Sequence, residues 1–186
     1  CHGEGTVIKN KCKTCGGDGV VKGDEVVEIN IPAGVQDGMV LTVAGKGNAG
    51  KRNGYPGDIQ VLISEESNDT FERDGQNLYY NLVLDFATAT LGGEVDVPTI
   101  EGKTTVKIEP GTQPGKQIRL RGKGLPAVKG YGYGKGDIIC NVTVYVPKTL
   151  TKEEKELIKK LKNSENFKAD NATKKTLFDS LKNLFK

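Results

Sequence analysis

The chain has 186 residues, of which 35% are hydrophobic and 6% aromatic, with 25 Gly and no Trp. No apolar stretch approaches the ~20 residues of a membrane-spanning helix. Lys and Arg (27) barely exceed Asp and Glu (24), and a net charge of +3 gives little basis for strong nucleic-acid steering. This composition disfavours a large α/β enzyme core and favours many short strands joined by glycine turns.

The sequence opens on Cys1 rather than Met and is read as a fragment. Residues 1–24 are polar and rich in glycine, too poor in apolar side chains to bury a core, so a metal is the expected device for holding them. Three of the four cysteines, Cys1, Cys12 and Cys15, fall in this stretch, which points to a reducing compartment and a metal or redox role. Cys12-Lys-Thr-Cys15 is a C-x-x-C knuckle whose spacing lets both thiolates reach one metal. Cys1-His-Gly-Glu-Gly repeats the second half of the same C-x-x-C-x-G-x-G pattern. Zinc is preferred to thiol–disulfide chemistry, because glycine follows the knuckle where a redox motif would open a helix. A structural zinc takes four ligands, and this chain offers Cys1, Cys12, Cys15 and, awkwardly, His2.

From Glu25 to about Val146 apolar residues alternate with polar ones, which predicts half-buried antiparallel strands. The sets are Val27/Ile29/Ile31, Met39/Leu41/Val43, Ile59/Val61/Ile63, Leu78/Tyr80/Leu82/Leu84, Val106/Ile108, Ile118/Leu120 and the run from Ile138. Glu94 to Pro98 is a further strand, and residues 85–92 read as a short helix with Asp85 as N-cap and Gly92 or Gly93 as its stop. An internal repeat is decisive. The pattern of Ile31-Pro-Ala-Gly-Val-Gln-Asp-Gly38, Leu41, Val43 and Gly45-Lys-Gly47 returns 77 residues later as Ile108, Gly111, Gln113, Gly115, Ile118, Leu120 and Gly122-Lys-Gly124, and Gly57-Asp-Ile59 returns as Gly136-Asp-Ile138. Two copies of one β unit predict two similar domains in tandem. The cysteine stretch sits where the second copy has only a turn, so the first domain is expected to lack its opening strands here.

The architecture expected is therefore mainly β: two tandem small β-sandwich-like domains with a short helix, a partial zinc-finger segment at the N-terminus and helices at the C-terminus. The divisions are residues 1–24 for the cysteine segment, 25–76 for the first domain, 77–148 for the second and 149–186 for the helical tail. Thr151 to Glu154 is a capping box. Near the C-terminus Leu177, Phe178, Leu181, Leu184 and Phe185 form a helical stripe that must bury against something. Cys140, on a strand, reads as a core thiol. The Gly-Lys-Gly turns lack phosphate-loop spacing, and a single His offers little for acid–base chemistry. Leu41, Val43 and Phe71 suggest a shallow apolar groove beside a strand edge, a site for extended peptides, against the plainer reading of core packing.

Taken together, the two cysteine motifs, Ile31-Pro-Ala-Gly-Val-Gln-Asp-Gly, Phe71-Glu-Arg-Asp-Gly, Leu91-Gly-Gly-Glu and Gly122-Lys-Gly-Leu-Pro126 resemble the zinc-containing type of the DnaJ family of co-chaperones, over essentially the whole chain. The resemblance implies a chaperone that binds non-native polypeptides and delivers them to a DnaK-type ATPase, with no catalytic activity in this region. It implies an unfolded-protein-binding, protein-folding and stress-response role in the cytoplasm, without membrane and without nucleic acid. The family binds two zincs, the first cysteine repeat pairing with the fourth and the second with the third. Cys1 would then close the third repeat and Cys12 with Cys15 would form the fourth, so zinc sites within this chain are expected to be incomplete. The resemblance also implies client binding at Leu41, Val43 and Phe71, and a homodimer formed through the stripe from Leu177 to Phe185. Activation of the ATPase is assigned in the family to a J domain whose His-Pro-Asp motif is absent from this sequence. The alternative reading is a thiol–disulfide oxidoreductase using Cys12 and Cys15, and a third is a zinc-ribbon nucleic-acid binder.

Overall fold

The computed structural model describes residues 5, 8–51 and 54–168. Eight strands and two α-helices follow in order: β1 (Val40–Val43), β2 (Ile59–Leu62), β3 (Glu72–Asp74), β4 (Asn77–Asp85), α1 (Phe86–Leu91), β5 (Gly93–Thr99), β6 (Gly102–Ile108), β7 (Gln117–Leu120), β8 (Ile138–Tyr145) and α2 (Lys152–Lys162). The mainly β class expected from the alternation is what the chain adopts. It divides into two compact units, one of residues 1–67 with 127–133 and the other of residues 68–126 with 134–186.

Among the described residues the first unit contains a single antiparallel hairpin, with Val40 opposite Leu62, Leu41 opposite Val61, and Val43 opposite Ile59. None of its described residues is buried. Residues 25–31, expected as a strand, form none, and Ile31 is 60% exposed. The reason is the absence of a partner. In the second copy the equivalent strand β6 pairs along its length with β5, and no described residue of the first unit plays that part.

The second unit is a sandwich-like arrangement. A four-stranded sheet in the order β3-β4-β8-β7 is covered by the β5–β6 ribbon, and α1 packs at the end of β4. Leu78, Leu82 and Leu84 from β4, Val97 from β5, Val106 and Ile108 from β6, and Ile138, Cys140 and Val142 from β8 make one buried cluster with Ala89. At roughly 1.5–3 kcal/mol for each large aliphatic side chain, this cluster is the main stabilising term of the molecule. The pairing of β4 with β8 is parallel, Leu78 opposite Ile138 through Asp85 opposite Tyr145, not antiparallel as the alternation suggested. Period two reports which face is apolar and is blind to strand direction; here β5, β6 and β7 lie between the two strands in sequence and supply the crossover that a parallel pair needs.

The second unit begins at Asn68, earlier than the break at residues 76–77 expected from the sequence. Strand β3 explains this, because Glu72, Arg73 and Asp74 pair with Tyr79, Leu78 and Asn77. Helix α1 has the expected ends: Asp85 accepts a hydrogen bond from the Thr88 N–H at 2.8 Å, and Gly92 stops the helix at φ 79°. The capping box of α2 is also present, with the Thr151 N–H donating to Glu154 Oε2 at 2.7 Å.

The hairpins of the two copies fold alike at the backbone. The register of β1 on β2 is reproduced residue for residue by β7 on β8, with Ile118 opposite Cys140 and Leu120 opposite Ile138. Asp58 accepts from the Gly45 N–H and Asp137 from the Gly122 N–H, each at 2.8 Å. Gly45 and Gly122 both sit at φ 68°, a left-handed conformation that glycine adopts without strain.

Candidate functional site

The β1–β2 hairpin presents two different surfaces. Leu41 and Val43 share one face with Ile59 and Val61, and all four are half-buried. The other face carries Val40 and Leu62, directly opposite each other and 53% and 69% exposed. Two large aliphatic side chains side by side on an open surface form a small apolar patch, one that water disfavours and an apolar side chain would cover.

The hairpin also has an open edge. Ile63 donates to Met39 C=O at 2.8 Å and accepts from the Gly38 N–H at 3.0 Å, so its backbone polar groups point toward β1. By the two-residue period those of Val61 and Ile59 do the same, and those of Gln60 and Leu62 point the other way. In the second copy that outer edge of β8 is taken up by β4. Among the described residues no strand pairs with it on β2. An unpaired edge next to an apolar patch is the arrangement that accepts an extended chain as an added strand.

The sequence grouped Phe71 with Leu41 and Val43. The structure brings Leu41 and Val43 together on β1 and places Phe71 in the second unit. Its ring lies 5.8 Å from that of Tyr80, tilted by 50°, and packs against the buried cluster. The turn before it is closed by Asn68, whose Oδ1 accepts from the N–H groups of Thr70 and Phe71 at 2.8 and 3.0 Å. The sequence reading missed the pair Val40 and Leu62, because alternation assigns the second face of a half-buried strand to polar residues. The repeat held the signal: at the equivalent positions stand Gln117 and Asn141, which hydrogen-bond to each other at 3.0 Å.

Cys12 and Cys15 form a compact turn, with Gly16 N–H donating to Cys12 C=O at 2.9 Å and Asp18 N–H to Cys15 C=O at 3.0 Å. Both are free thiols, Cys12 exposed and Cys15 partly covered. Hydrogen bonds from the backbone N–H groups of Cys15 and Thr14 favour the Cys12 thiolate and bring its pKa down to about 7. A thiolate stabilised in this way suits a zinc ligand, and these two residues could supply two of the four such an ion takes. Among the described residues no cluster of three or more potential ligands occurs. Cys1 lies outside the described residues, as do Leu177, Phe178, Leu181, Leu184 and Phe185. Cys140 is fully buried, and burial pushes its thiol up to about 11, which makes it an inert core side chain. No helix among the described residues is long and apolar enough to cross a membrane.

Residues 2–147 match the family model described as DnaJ C terminal domain. The chain is 56% identical over 176 residues to Chaperone protein DnaJ of Bacteroides fragilis (strain YCH46), covering 95% of this chain and 44% of that protein. It is 47% identical over 171 residues to Chaperone protein DnaJ of Porphyromonas gingivalis (strain ATCC BAA-308 / W83), covering 92% of this chain and 44% of that one. With Chaperone protein DnaJ of Chlorobium limicola (strain DSM 245 / NBRC 103803 / 6330) it shares 42% identity over 189 residues, covering 100% of this chain and 47% of that relative. The chain thus spans less than half the length of these curated relatives. The repeated hairpins, the cysteine turn and these matches agree: the chain belongs to the DnaJ C-terminal domain family.

Proposed function

We propose that this chain is the polypeptide-holding region of a DnaJ-type co-chaperone, which keeps non-native chains bound for a DnaK-type ATPase. The observation that carries the reading is the β1–β2 hairpin, where an open strand edge runs beside exposed Val40 and Leu62 and the half-buried pair Leu41 and Val43. Main-chain hydrogen bonds to such an edge are indifferent to client sequence, and the aliphatic side chains select for apolar residues in it. That combination suits a protein that must recognise unfolded chains in general. Phe71, which packs on Tyr80 in the second unit, is not part of this hairpin.

Further parts of the proposal follow from the family. Cys12 and Cys15 would hold one zinc together with thiolates outside this pair, and the intact protein would bind two such ions. The stripe from Leu177 to Phe185 would join two protomers, giving a cytoplasmic homodimer without enzymatic activity of its own. The matching relatives bear the names of chaperones, which supports this reading over thiol–disulfide exchange.

The test is binding of a fluorescent leucine-rich peptide to the full chain. Leu41→Asp should weaken binding at least tenfold. The double variant Val40→Ser with Leu62→Ser should weaken it severalfold, and it alters only exposed side chains, so its fold survives. Unchanged affinity in the folded double variant would exclude the hairpin as the site.

A further inference from the structure

The second copy of the repeat carries a groove of its own with different chemistry. A concave region of about 580 Å³ lies between the end of β6 and strand β7. Lys107, Glu109, Lys116, Gln117, Ile118 and Arg119 contribute to its walls, three cations against a single carboxylate. The residues at the same repeat positions in the first copy are Asn30, Pro32, Met39, Val40, Leu41 and Thr42, none of them charged. Strand β7 thus has a cationic neighbourhood where the residues at the same positions on and before its counterpart β1 are neutral.

The groove lies along a strand edge. Strand β7 ends the sheet order β3-β4-β8-β7, so among the described residues one of its sides pairs with no strand. Val142 accepts from the Gly115 N–H at 2.8 Å and donates to Lys116 C=O at 2.9 Å, which turns the backbone groups of Cys140 and Ile138 toward β7 by the two-residue period. Their partners Ile118 and Leu120 face back, and Gln117 and Arg119 present N–H and C=O to the open side. The ion pairs nearby are weak, and of their four side chains only Asp137 is largely covered. Lys116 Nζ is 2.7 Å from Glu109 Oε2, and Arg119 Nε is 3.7 Å from Asp137 Oδ2. Exposed pairs of this kind contribute little and are readily exchanged for an incoming carboxylate. Charged side chains also discourage edge-to-edge pairing between copies. Protection alone does not explain them here, because the same edge of β1 carries Val40 and Thr42.

We propose that the β7 edge and its groove bind an acidic peptide segment in extended conformation, added as a strand beside β7 with its carboxylates set against Lys107, Lys116 and Arg119. The alternating backbone donors and acceptors of the edge fit a peptide and have no counterpart in a nucleic-acid backbone. No aromatic side chain lines the groove for base stacking. The four residues of β7 engage roughly 13 Å of partner, or about four residues. This site is separate from the apolar hairpin and does not depend on the reading given for it.

The experiment titrates the full chain with a fluorescein-labelled (Val-Glu)3 peptide and with its (Val-Lys)3 counterpart, following anisotropy at low and moderate salt. The acidic peptide should bind at least tenfold tighter than the basic one and weaken as salt rises. Lys107→Glu combined with Arg119→Glu should abolish the preference, and the milder Lys107→Gln with Arg119→Gln should halve it or more with the circular dichroism unchanged. Leu41→Asp should leave acidic-peptide binding intact, which separates this site from the first. Amide exchange should slow at Gln117 and Arg119 on peptide addition and stay constant at Ile118. Equal affinity for both peptides, no effect of the glutamine pair, displacement of the peptide by equimolar inorganic phosphate, or unchanged exchange at Gln117 and Arg119 would each overturn the proposal.

Discussion

The two hairpins, β1–β2 and β7–β8, have the same register, the same Asp-to-Gly hydrogen bond and the same left-handed glycine, yet one has no buried residue and the other sends Ile138, Cys140 and Val142 of β8 into the core. What differs is the company each keeps. Strand β8 has β4 along its far edge and the β5–β6 ribbon over its face, and among the described residues β2 has neither. Turn chemistry is thus enough to set a hairpin's pairing, whereas burial depends on elements remote in sequence. A two-stranded hairpin alone is marginal in water, so the cooperative stability of the chain resides in the second unit.

The sharpest way to break this comparison is to empty equivalent amounts of side chain from each unit. Leu84→Ala removes a side chain that is 1% exposed and should cost about 2–5 kcal/mol in urea unfolding. Leu41→Ala should leave that transition in place; an equal shift would show that the first unit shares the core's cooperativity.

Glycine at one repeat position gives the next contrast. A Cβ on Gly136 would collide with the backbone of Gln76, and one on Gly57, its equivalent, would meet nothing within 4 Å. Gly136→Ala should therefore destabilise by about 1–3 kcal/mol, with Gly57→Ala near neutral, as read from the same unfolding curves. Thiol labelling sharpens the picture without mutation. In iodoacetamide treatment at pH 8 followed by mass spectrometry, exposed Cys12 should react promptly and Cys140 only as the second unit unfolds. Comparable rates for the two would contradict the buried position of Cys140.

The smallest effect concerns the cap of α1. Hydrogen bonds from the Thr88 hydroxyl and N–H hold the Asp85 carboxyl below its usual range. Because the folded pKa is the lower one, the stabilisation is complete above the unfolded value near pH 3.9 and fades as pH falls through the folded value. The stability gap between wild type and Asp85→Ala should shrink in acid, checked by thermal melts from pH 7 downward; a gap that grows would reverse the assigned sign.

The features legible in the sequence were the local ones. The Gly-Lys-Gly turns, the Asp85 and Thr151 caps and the strands of both hairpins follow from residues a few positions apart, and the repeat shows by direct comparison of one stretch of sequence with another. Residues 25–31 carry the same alternation as β6 and form no strand, since alternation marks a face and cannot provide a partner. For the same reason the parallel match of β4 to β8 and the short strand β3 stayed hidden. At the candidate site, the inner face with Leu41 and Val43 was readable from period two. The outward pair Val40 and Leu62, the unit to which Phe71 belongs and the cationic groove beside β7 emerged only once strands were assigned neighbours.

The parallel match of β4 to β8 bears on how the protein is made. Asn77 and Asp137, bonded side chain to backbone at the start of the two strands, are 60 residues apart. On a ribosome adding about 5–20 residues per second, β4 leaves the tunnel several seconds before its neighbour exists. Over that interval its three leucines face water unshielded, and the nascent chain carries the kind of bare apolar strand that marks a non-native polypeptide.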